Sequence, residues 1–219
     1  MEILYACLSI ILSYLLGSVN SAIIVSKTLY KEDIRTHGSG NAGLTNILRT
    51  YGTKAAALTL IGDMLKAALA IGFTSLFFGL QYEGGISLSP MCYLAGSFAV
   101  LGHAFPIFYQ FKGGKGVLVG ATMTLILCPL NFLVLIAVFA LTVLITRYVS
   151  LGSIIVATLL PITVCLYIPF ILGAELSVII ALSTIFIGGF VIWCHRSNIK
   201  RLIDGNEKKI SIGGKKKNG

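Results

Sequence analysis

The sequence predicts an all-α membrane protein with seven transmembrane helices, in which residues 1–219 form a single domain. Composition is the first observation: 56% of the 219 residues are hydrophobic and 11% are charged, whereas a soluble domain carries about 25% charged residues. Spacing is the second, because seven apolar runs divide the chain and a helix needs roughly 20 apolar residues to cross a bilayer. Soluble globular and disordered classes are therefore excluded.

The apolar runs lie at residues 3–26, 55–80, 91–109, 116–128, 130–146, 151–172 and 175–194. The first has no basic segment before it and no convincing Ala-x-Ala cleavage site, so we expect it to remain as a transmembrane helix. The fourth is short, and residues 116–146 form one long helix unless the chain breaks near Pro129 and Asn131. Proline and asparagine together favour a turn there, which predicts two helices.

Lysine and arginine positions orient the spans, because cytoplasmic loops are enriched in both residues. With the N-terminus outside, the basic residues at 27–54, at 112–115, at 147 and in the C-terminal tail all face the cytoplasm. Lys66, inside the second span, is the exception. The acidic residues that then face outwards are Glu2, Glu83 and Glu175. A six-span chain would place part of the basic set outside, so charge favours seven spans with a cytoplasmic C-terminus.

The net charge of +9 does not indicate a nucleic-acid partner, because the basic residues are distributed over four membrane-flanking segments. Topology and attraction to anionic lipid account for most of it. The five cysteines show neither a CxxC pair nor the Cys/His spacing of a zinc site, so we expect no metal and no cofactor.

Three predicted cytoplasmic segments contain residues suited to phosphate. The loop at 37–49 contains the run Gly-Ser-Gly-Asn-Ala-Gly at 38–43, which fits G-x-G-x-x-G but lacks the preceding strand of a dinucleotide site. Its glycines let backbone amides approach an anion, Ser39 and Asn41 can cap the following helix, and Arg49 adds a permanent charge. A flexible loop with a helix cap is the alternative.

The second segment places Lys112 and Lys115 on either side of the pair Gly113-Gly114, directly before the fourth span. Its spacing is not that of a Walker A motif, so nucleotide hydrolysis is not indicated. Two lysines beside glycines at a helix start favour a second anion site. Lysines that only set the topology, with a glycine turn, are the alternative.

The third segment, residues 195–207, follows the last span. If the helix continues, His195, Asn198 and Leu202 lie one turn apart on one face. An ordinary basic cluster beside the membrane is the alternative. Three phosphate-suited segments on one side together indicate a shared anionic ligand at the cytoplasmic interface.

Some residues inside the predicted spans are less decisive. Asp63 and Lys66, three apart on one helix face, either neutralise each other or contribute to the cytoplasmic site. His103 either hydrogen-bonds between helices or joins the site. Gly17 and Ser21 indicate a close-packing stripe rather than chemistry.

These segments resemble the motifs of the membrane-integral bacterial acyl-phosphate:glycerol-3-phosphate acyltransferase family, and the likeness extends over most of the chain. The matching stretches are Gly38 to Arg49, Gly102-His103 with residues 105–116, and residues 195–207, which read His-Arg-x-Asn-Ile-x-Arg-Leu-x-x-Gly-x-Glu. Asn20 stands where the family has proline, and Ala67 where it commonly has glycine. These departures affect local helix packing.

The resemblance implies an enzyme of the bacterial cytoplasmic (inner) membrane that acts in the first acylation step of phospholipid biosynthesis. It implies transfer of a fatty acyl group from acyl phosphate to the 1-hydroxyl of glycerol 3-phosphate, which gives lysophosphatidic acid and inorganic phosphate without a cofactor. The implied partners are these two substrates, the lipid bilayer and, transiently, the enzyme that makes acyl phosphate.

The resemblance also implies site residues. A catalytic role falls to Ser39, Arg49, His195 and Asn198. The residues that bind the substrates and their phosphate groups are Ser39, Gly40, Asn41, Arg49, Lys112, Gly113, Gly114, Lys115, Ser150, His195 and Asn198. Ser150 directly precedes the sixth span, so the predicted topology also places it on the cytoplasmic side.

An acyl phosphate carries its own leaving group, so no covalent nucleophile is required, and no Ser/His/Asp triad is visible. Either His195 or a phosphate oxygen of the substrate accepts the hydroxyl proton. The His-x4-Asp motif of acyltransferases that use acyl-CoA or acyl carrier protein is absent. A transporter of a phosphorylated metabolite or phosphate is the alternative function, although the chain shows no internal repeat and few external charges.

Overall fold

A computed structural model describes residues 2–78 and 89–210, and regular structure in these ranges is helical, without strands. The helices are α1 (Glu2–Ser18), α2 (Ser21–Leu29), α3 (Leu44–Tyr51), α4 (Thr53–Phe78), α5 (Pro90–Ala104), α6 (Val117–Leu127), α7 (Pro129–Thr146), α8 (Val149–Phe170), α9 (Val178–Cys194) and α10 (Arg196–Ile203). The predicted all-α class is confirmed. The orientation predicted for Glu83 and the terminal lysines falls outside the described residues.

Several of these helices meet the length and hydropathy requirements of a membrane span. The described residues contain five such spans, with Ile3–Leu29 counted as one, or six if α9 and α10 form one broken span with a bend of 55°. Helix α6 has 11 residues and is about 16 Å long, shorter than the roughly 30 Å of a hydrocarbon core. The chain is thus a multi-pass membrane protein.

The chain breaks between α6 and α7, as Pro129 and Asn131 predicted. Cys128 leaves the helical region with φ −150° and ψ 71°, and Pro129 opens α7 at a position that needs no backbone donor. The alternative of one long helix over 116–146 is therefore wrong.

The first apolar run is divided as well, which the hydropathy pattern did not predict. Asn20 is fully buried and lies between α1 and α2. Its side-chain oxygen accepts a hydrogen bond from the Ile23 amide at 3.0 Å, which caps α2. Its amide nitrogen donates to the Ala42 carbonyl at 3.3 Å. Asparagine at this position therefore starts a new helix and ties it to the loop at 37–43.

Small residues bring α1 close to α5 and α2 close to α4. A Cβ atom on Gly17 would lie 2.3 Å from the Ala99 carbonyl oxygen on α5, and one on Gly62 would lie 2.6 Å from the Ser21 hydroxyl. The predicted packing role of Gly17 is confirmed. Helix α5 also packs on α6 and α9, and α8 packs on α7 and α9, which completes the bundle.

We expect Gly17→Ala to destabilise the protein by about 1–3 kcal/mol, because the added methyl group meets the rigid backbone of α5. Gly72→Ala is the matched control: Gly72 lies in α4, and a Cβ there would meet nothing within 4 Å. This control should be neutral or slightly stabilising, since alanine favours the helix. Thermal unfolding in detergent distinguishes the two, and equal melting temperatures would contradict the packing account.

Candidate active site

Four polar segments, at 37–49, 112–115, 147–150 and 195–207, meet at one end of the helical bundle and enclose the mouth of a cavity of about 650 Å³. The predicted site residues that line it are Ser39, Asn41, Arg49, Lys115, Ser150, His195 and Asn198. Deeper in the bundle, the cavity runs between α6, α7, α8 and α9 along apolar side chains that include Phe139, Leu160 and Ile187. A cationic polar end thus continues into an apolar body.

The other four predicted residues, Gly40, Lys112, Gly113 and Gly114, do not line this cavity. Lys112 is exposed. The amides of Gly113 and Gly114 are not free to cradle an anion, because they donate to the Ala104 and His103 carbonyls at 3.1 Å each. The interpretation of the glycine pair as a backbone anion site is therefore corrected to one of close packing.

Steric contacts explain why glycine is required there. A Cβ on Gly113 would lie 2.1 Å from the His103 carbonyl oxygen, and one on Gly114 would lie 2.0 Å from Nε2 of the His103 ring. The loop before α6 thus lies directly on the end of α5. This contact sets the position of the next residue, Lys115, which reaches the cavity.

Asn46 holds the loop that contains Ser39, a role that the sequence reasoning missed. Its side-chain oxygen accepts from the Ser39 amide at 3.0 Å. Its side-chain nitrogen donates to the His37 and Asn41 carbonyls at 3.0 and 3.1 Å. Gly38 has a positive φ of 62°, and a Cβ there would lie 2.2 Å from the Asn46 oxygen. The only sequence signal was a polar residue on the buried face of a short helix.

Arg35 joins this loop to the neighbouring one. Its guanidinium donates to the Tyr109 carbonyl at 2.9 Å and to Asp33 at 2.8 and 3.0 Å. The hydrogen bonds from Arg35 lower the pKa of Asp33 to about 2 against the opposing effect of burial, so the pair stays charged at neutral pH. The sequence identified Arg35 only as a topological charge.

Glu207 gathers the remaining polar residues and was also missed as an organising group. Its buried carboxylate accepts from the Ser150 hydroxyl at 2.8 Å, the Asn198 amide at 2.7 Å and the Arg201 guanidinium at 2.7 Å. Burial raises the pKa of Glu207, but these hydrogen bonds outweigh burial and hold it below its usual range. An acidic residue at the end of a largely basic segment was the available signal.

Asn198 is held from both sides, because its side-chain oxygen accepts a hydrogen bond from the Lys115 ammonium. Burial, with the nearby charges of Arg201 and Arg49, lowers the pKa of Lys115 to about 8. Lys115 is therefore mostly charged at neutral pH and loses its charge just above it.

His195 has a defined tautomer. Its Nδ1 lies 2.7 Å from the Val191 carbonyl oxygen, and since a carbonyl can only accept, Nδ1 must donate. In the neutral ring, Nε2 is then a hydrogen-bond acceptor. The ring lines the cavity, so this nitrogen is available to a hydroxyl group.

The C-terminal segment closes the polar end. Arg49 donates to the Lys208 carbonyl at 2.9 Å, and the Ile210 amide donates to the Arg147 carbonyl at 2.8 Å. Two predicted cytoplasmic loops and the tail are thus joined by direct contacts, which places them on the same side of the bundle.

The chain matches the glycerol-3-phosphate acyltransferase family over residues 7–205. It is 43% identical to the glycerol-3-phosphate acyltransferase of Bacillus subtilis (strain 168) over 203 residues, which cover 93% of this chain and 96% of the relative. It is 41% identical to that of Clostridioides difficile (strain 630) over 210 residues, 96% and 98% of the two chains.

Solved structures give the same result. The fold is similar to that of PlsY (YgiH), an integral membrane glycerol 3-phosphate acyltransferase, in its glycerol 3-phosphate form. The TM-score is 0.80 at 34% identity, with 94% of this chain and 96% of the other covered. The lysophosphatidic acid form gives 0.77 at 33% identity, covering 94% and 95%. The predicted resemblance is confirmed, and the chain belongs to the glycerol-3-phosphate acyltransferase family.

Proposed function

We propose that this protein transfers a fatty acyl group from acyl phosphate to the 1-hydroxyl of glycerol 3-phosphate, releasing lysophosphatidic acid and inorganic phosphate. The observation that carries the proposal is the single cavity with a cationic polar end and an apolar body. The polar end suits the phosphate groups, and the apolar body suits the hydrocarbon chain of the donor and product. The similar PlsY structures hold glycerol 3-phosphate in one form and lysophosphatidic acid in the other.

The cationic side chains bind the two phosphate groups in this proposal. Arg49, on α3, and Lys115, which precedes α6, both line the polar end and supply its charge. Ser39 supplies a hydroxyl donor, and Asn41 and Asn198 add amide groups, while Ser150 donates its hydroxyl hydrogen to Glu207 and lines the site. Lys112, exposed at the rim, attracts the anionic substrates from solvent. Gly40 shapes the loop with a positive φ of 73° rather than contacting the ligand.

The reaction needs only positioning and charge neutralisation. The 1-hydroxyl oxygen bonds to the carbonyl carbon, the bond from that carbon to the phosphate oxygen breaks, and the hydroxyl proton leaves with the phosphate. Side chains fixed by Glu207 and Asn46 hold the reactants together, which lowers the entropic part of the barrier. Positive charge at the polar end stabilises negative charge that develops on the carbonyl and the leaving group.

His195 orients the acceptor hydroxyl in this scheme. The acceptor nitrogen Nε2, which the hydrogen bond to Val191 leaves without a proton, receives a hydrogen bond from the 1-hydroxyl. A phosphate oxygen of the substrate is a sufficient proton acceptor, so His195 is not required to take the proton. Asn198 lines the same cavity as His195.

The proposed topology has seven spans, an external N-terminus and a cytoplasmic C-terminus in the bacterial cytoplasmic membrane. The four polar segments meet at one end, and each pair of successive segments is separated by two apolar helices: α4 with α5, α6 with α7, and α8 with α9. Two crossings are needed to return to the same side, which supports counting α6 and α9 as spans. The cytoplasmic assignment follows from the basic residues at this end.

The transporter alternative has no support, since the relatives reported above are named acyltransferases.

The identity of the acyl donor is tested with purified protein in lipid. The protein receives labelled glycerol 3-phosphate together with either palmitoyl phosphate or palmitoyl-CoA. We expect lysophosphatidic acid and an equal amount of inorganic phosphate from palmitoyl phosphate alone. Product from palmitoyl-CoA alone would refute the donor assignment.

Arg49→Gln should reduce product formation by about 100-fold or more, because it removes a permanent charge from the phosphate site.

The role of His195 is tested by comparing His195→Gln with His195→Ala. Glutamine retains a hydrogen-bond acceptor and alanine does not, so an orienting role predicts that His195→Gln turns over at least about ten times faster than His195→Ala. If His195 is the general base instead, both variants should lose a similar factor of about 100 to 10,000 in kcat. Steady-state kinetics at saturating substrate separates these results.

A further inference from the structure

The Lys66 ammonium lies between three spans, below the polar end of the cavity. It is 2.9 Å from an Asp63 carboxylate oxygen, 2.9 Å from the Val19 carbonyl oxygen and 2.9 Å from Nδ1 of His103. Two of these contacts, with Val19 and His103, are hydrogen bonds, and the contact with Asp63 is an ion pair. Lys66 and Asp63 are 4% and 1% exposed, which makes this a buried ion pair.

The contact with Val19 follows from the break between α1 and α2. In a continuous helix the Val19 carbonyl would accept from the amide of Ile23, but that amide donates to the Asn20 side chain instead. A helix end leaves carbonyl groups without partners, and in lipid such a group is unfavourable. The ammonium of Lys66 supplies the missing donor and fixes the broken span to α4.

The contact with His103 leads towards the cavity. Because the ammonium can only donate, Nδ1 of His103 accepts and the ring proton lies on Nε2. That nitrogen lies against Gly114, where a Cβ would come within 2.0 Å of it. The His103 carbonyl also accepts from the Gly114 amide at 3.1 Å. Lys66 therefore holds the ring on which the loop before α6 rests, and Lys115 is the next residue of that loop.

We propose that the buried Asp63–Lys66 pair is a positioning device for the active site: it sets the His103 ring, which sets the Gly113-Gly114 loop and thereby the contact of Lys115 with Asn198. The inference rests on the proposed function of the cavity. Asp63 and His103 both line its floor, so a displacement of the pair also changes the shape of the site.

The alternative, an ion pair that only stabilises the bundle, predicts a different outcome for removal of both charges. Replacing a buried ion pair by neutral side chains of similar volume is often neutral or stabilising, whereas removing one partner leaves an uncompensated charge and destabilises strongly. The double variant Asp63→Asn/Lys66→Met is therefore informative where the single variants are not. Under the alternative it remains folded and fully active.

The control is Thr74→Ala, which removes another buried polar group from α4. The Thr74 hydroxyl donates to the Ala70 carbonyl within its own helix at 2.9 Å. Removal of this hydroxyl therefore breaks no hydrogen bond to another helix. We expect this variant to retain wild-type activity and a melting temperature within a few degrees of the wild type.

The measurements are the melting temperature in detergent and kcat/KM for glycerol 3-phosphate, with palmitoyl phosphate as donor, from pH 6 to pH 10. In the wild type kcat/KM falls as pH rises through about 8, because Lys115 loses its charge. The ionisable groups that face Lys115 are Arg49, Cys194, His195, Arg201 and Glu207. None belongs to the substituted pair.

We expect the double variant to melt within a few degrees of the wild type, to lose at least tenfold in kcat/KM, and to show its alkaline fall at a higher pH, because a displaced Lys115 is better solvated. Wild-type kcat/KM with an unchanged pH midpoint would overturn the inference. If the double variant does not fold, His103→Gln, which keeps the ion pair and removes the ring that contacts Gly114, must show the same two changes, and wild-type kinetics there would also overturn it. A wild type inactive with palmitoyl phosphate would refute the proposed function, and the inference with it.

Discussion

One buried carboxylate determines the geometry of the polar end. Glu207 accepts hydrogen bonds from the start of α8 and from two positions on α10, and so it joins elements that are far apart in the sequence. A negative charge in an anion-binding site is unfavourable for the ligand in simple Coulomb terms. Its benefit is structural, because Ser150 and Asn198 stay in place before any substrate arrives.

The membrane imposes the rest of the architecture. Lipid offers no hydrogen bonds, so backbone groups at a helix break must find partners inside the protein. The break at Asn20 is satisfied by its own side chain and by the ammonium of Lys66. The proposed site is formed in part by residues of irregular loops, Ser39 and Lys115 among them, and the apolar part of the cavity lies beside it.

Hydropathy and charge predicted the helices well, because a bilayer demands long apolar runs and cytoplasmic loops collect lysine and arginine. They did not predict the break at Asn20, since one buried polar residue does not interrupt an apolar average. Six predicted site residues in three segments were recognisable from their residue types, whereas Ser150 was implied only by the resemblance, and all seven line one cavity. Glu207 and Asn46 were missed because their partners are distant or depend on a folded loop. Gly113 and Gly114 were misinterpreted, because glycine permits either a free amide or close packing, and only the position of His103 decides between them.

The central claim, that Glu207 builds the phosphate site, is tested most directly by calorimetric titration of glycerol 3-phosphate into the wild type and Glu207→Gln. If the carboxylate organises Ser150, Asn198 and Arg201, its neutralisation should weaken binding by about tenfold or more, since hydrogen bonds to charged groups are worth about 1.5–3 kcal/mol. If it acts only as a nearby negative charge, its removal should strengthen binding of the anion. Unchanged or tighter binding by Glu207→Gln would contradict the account.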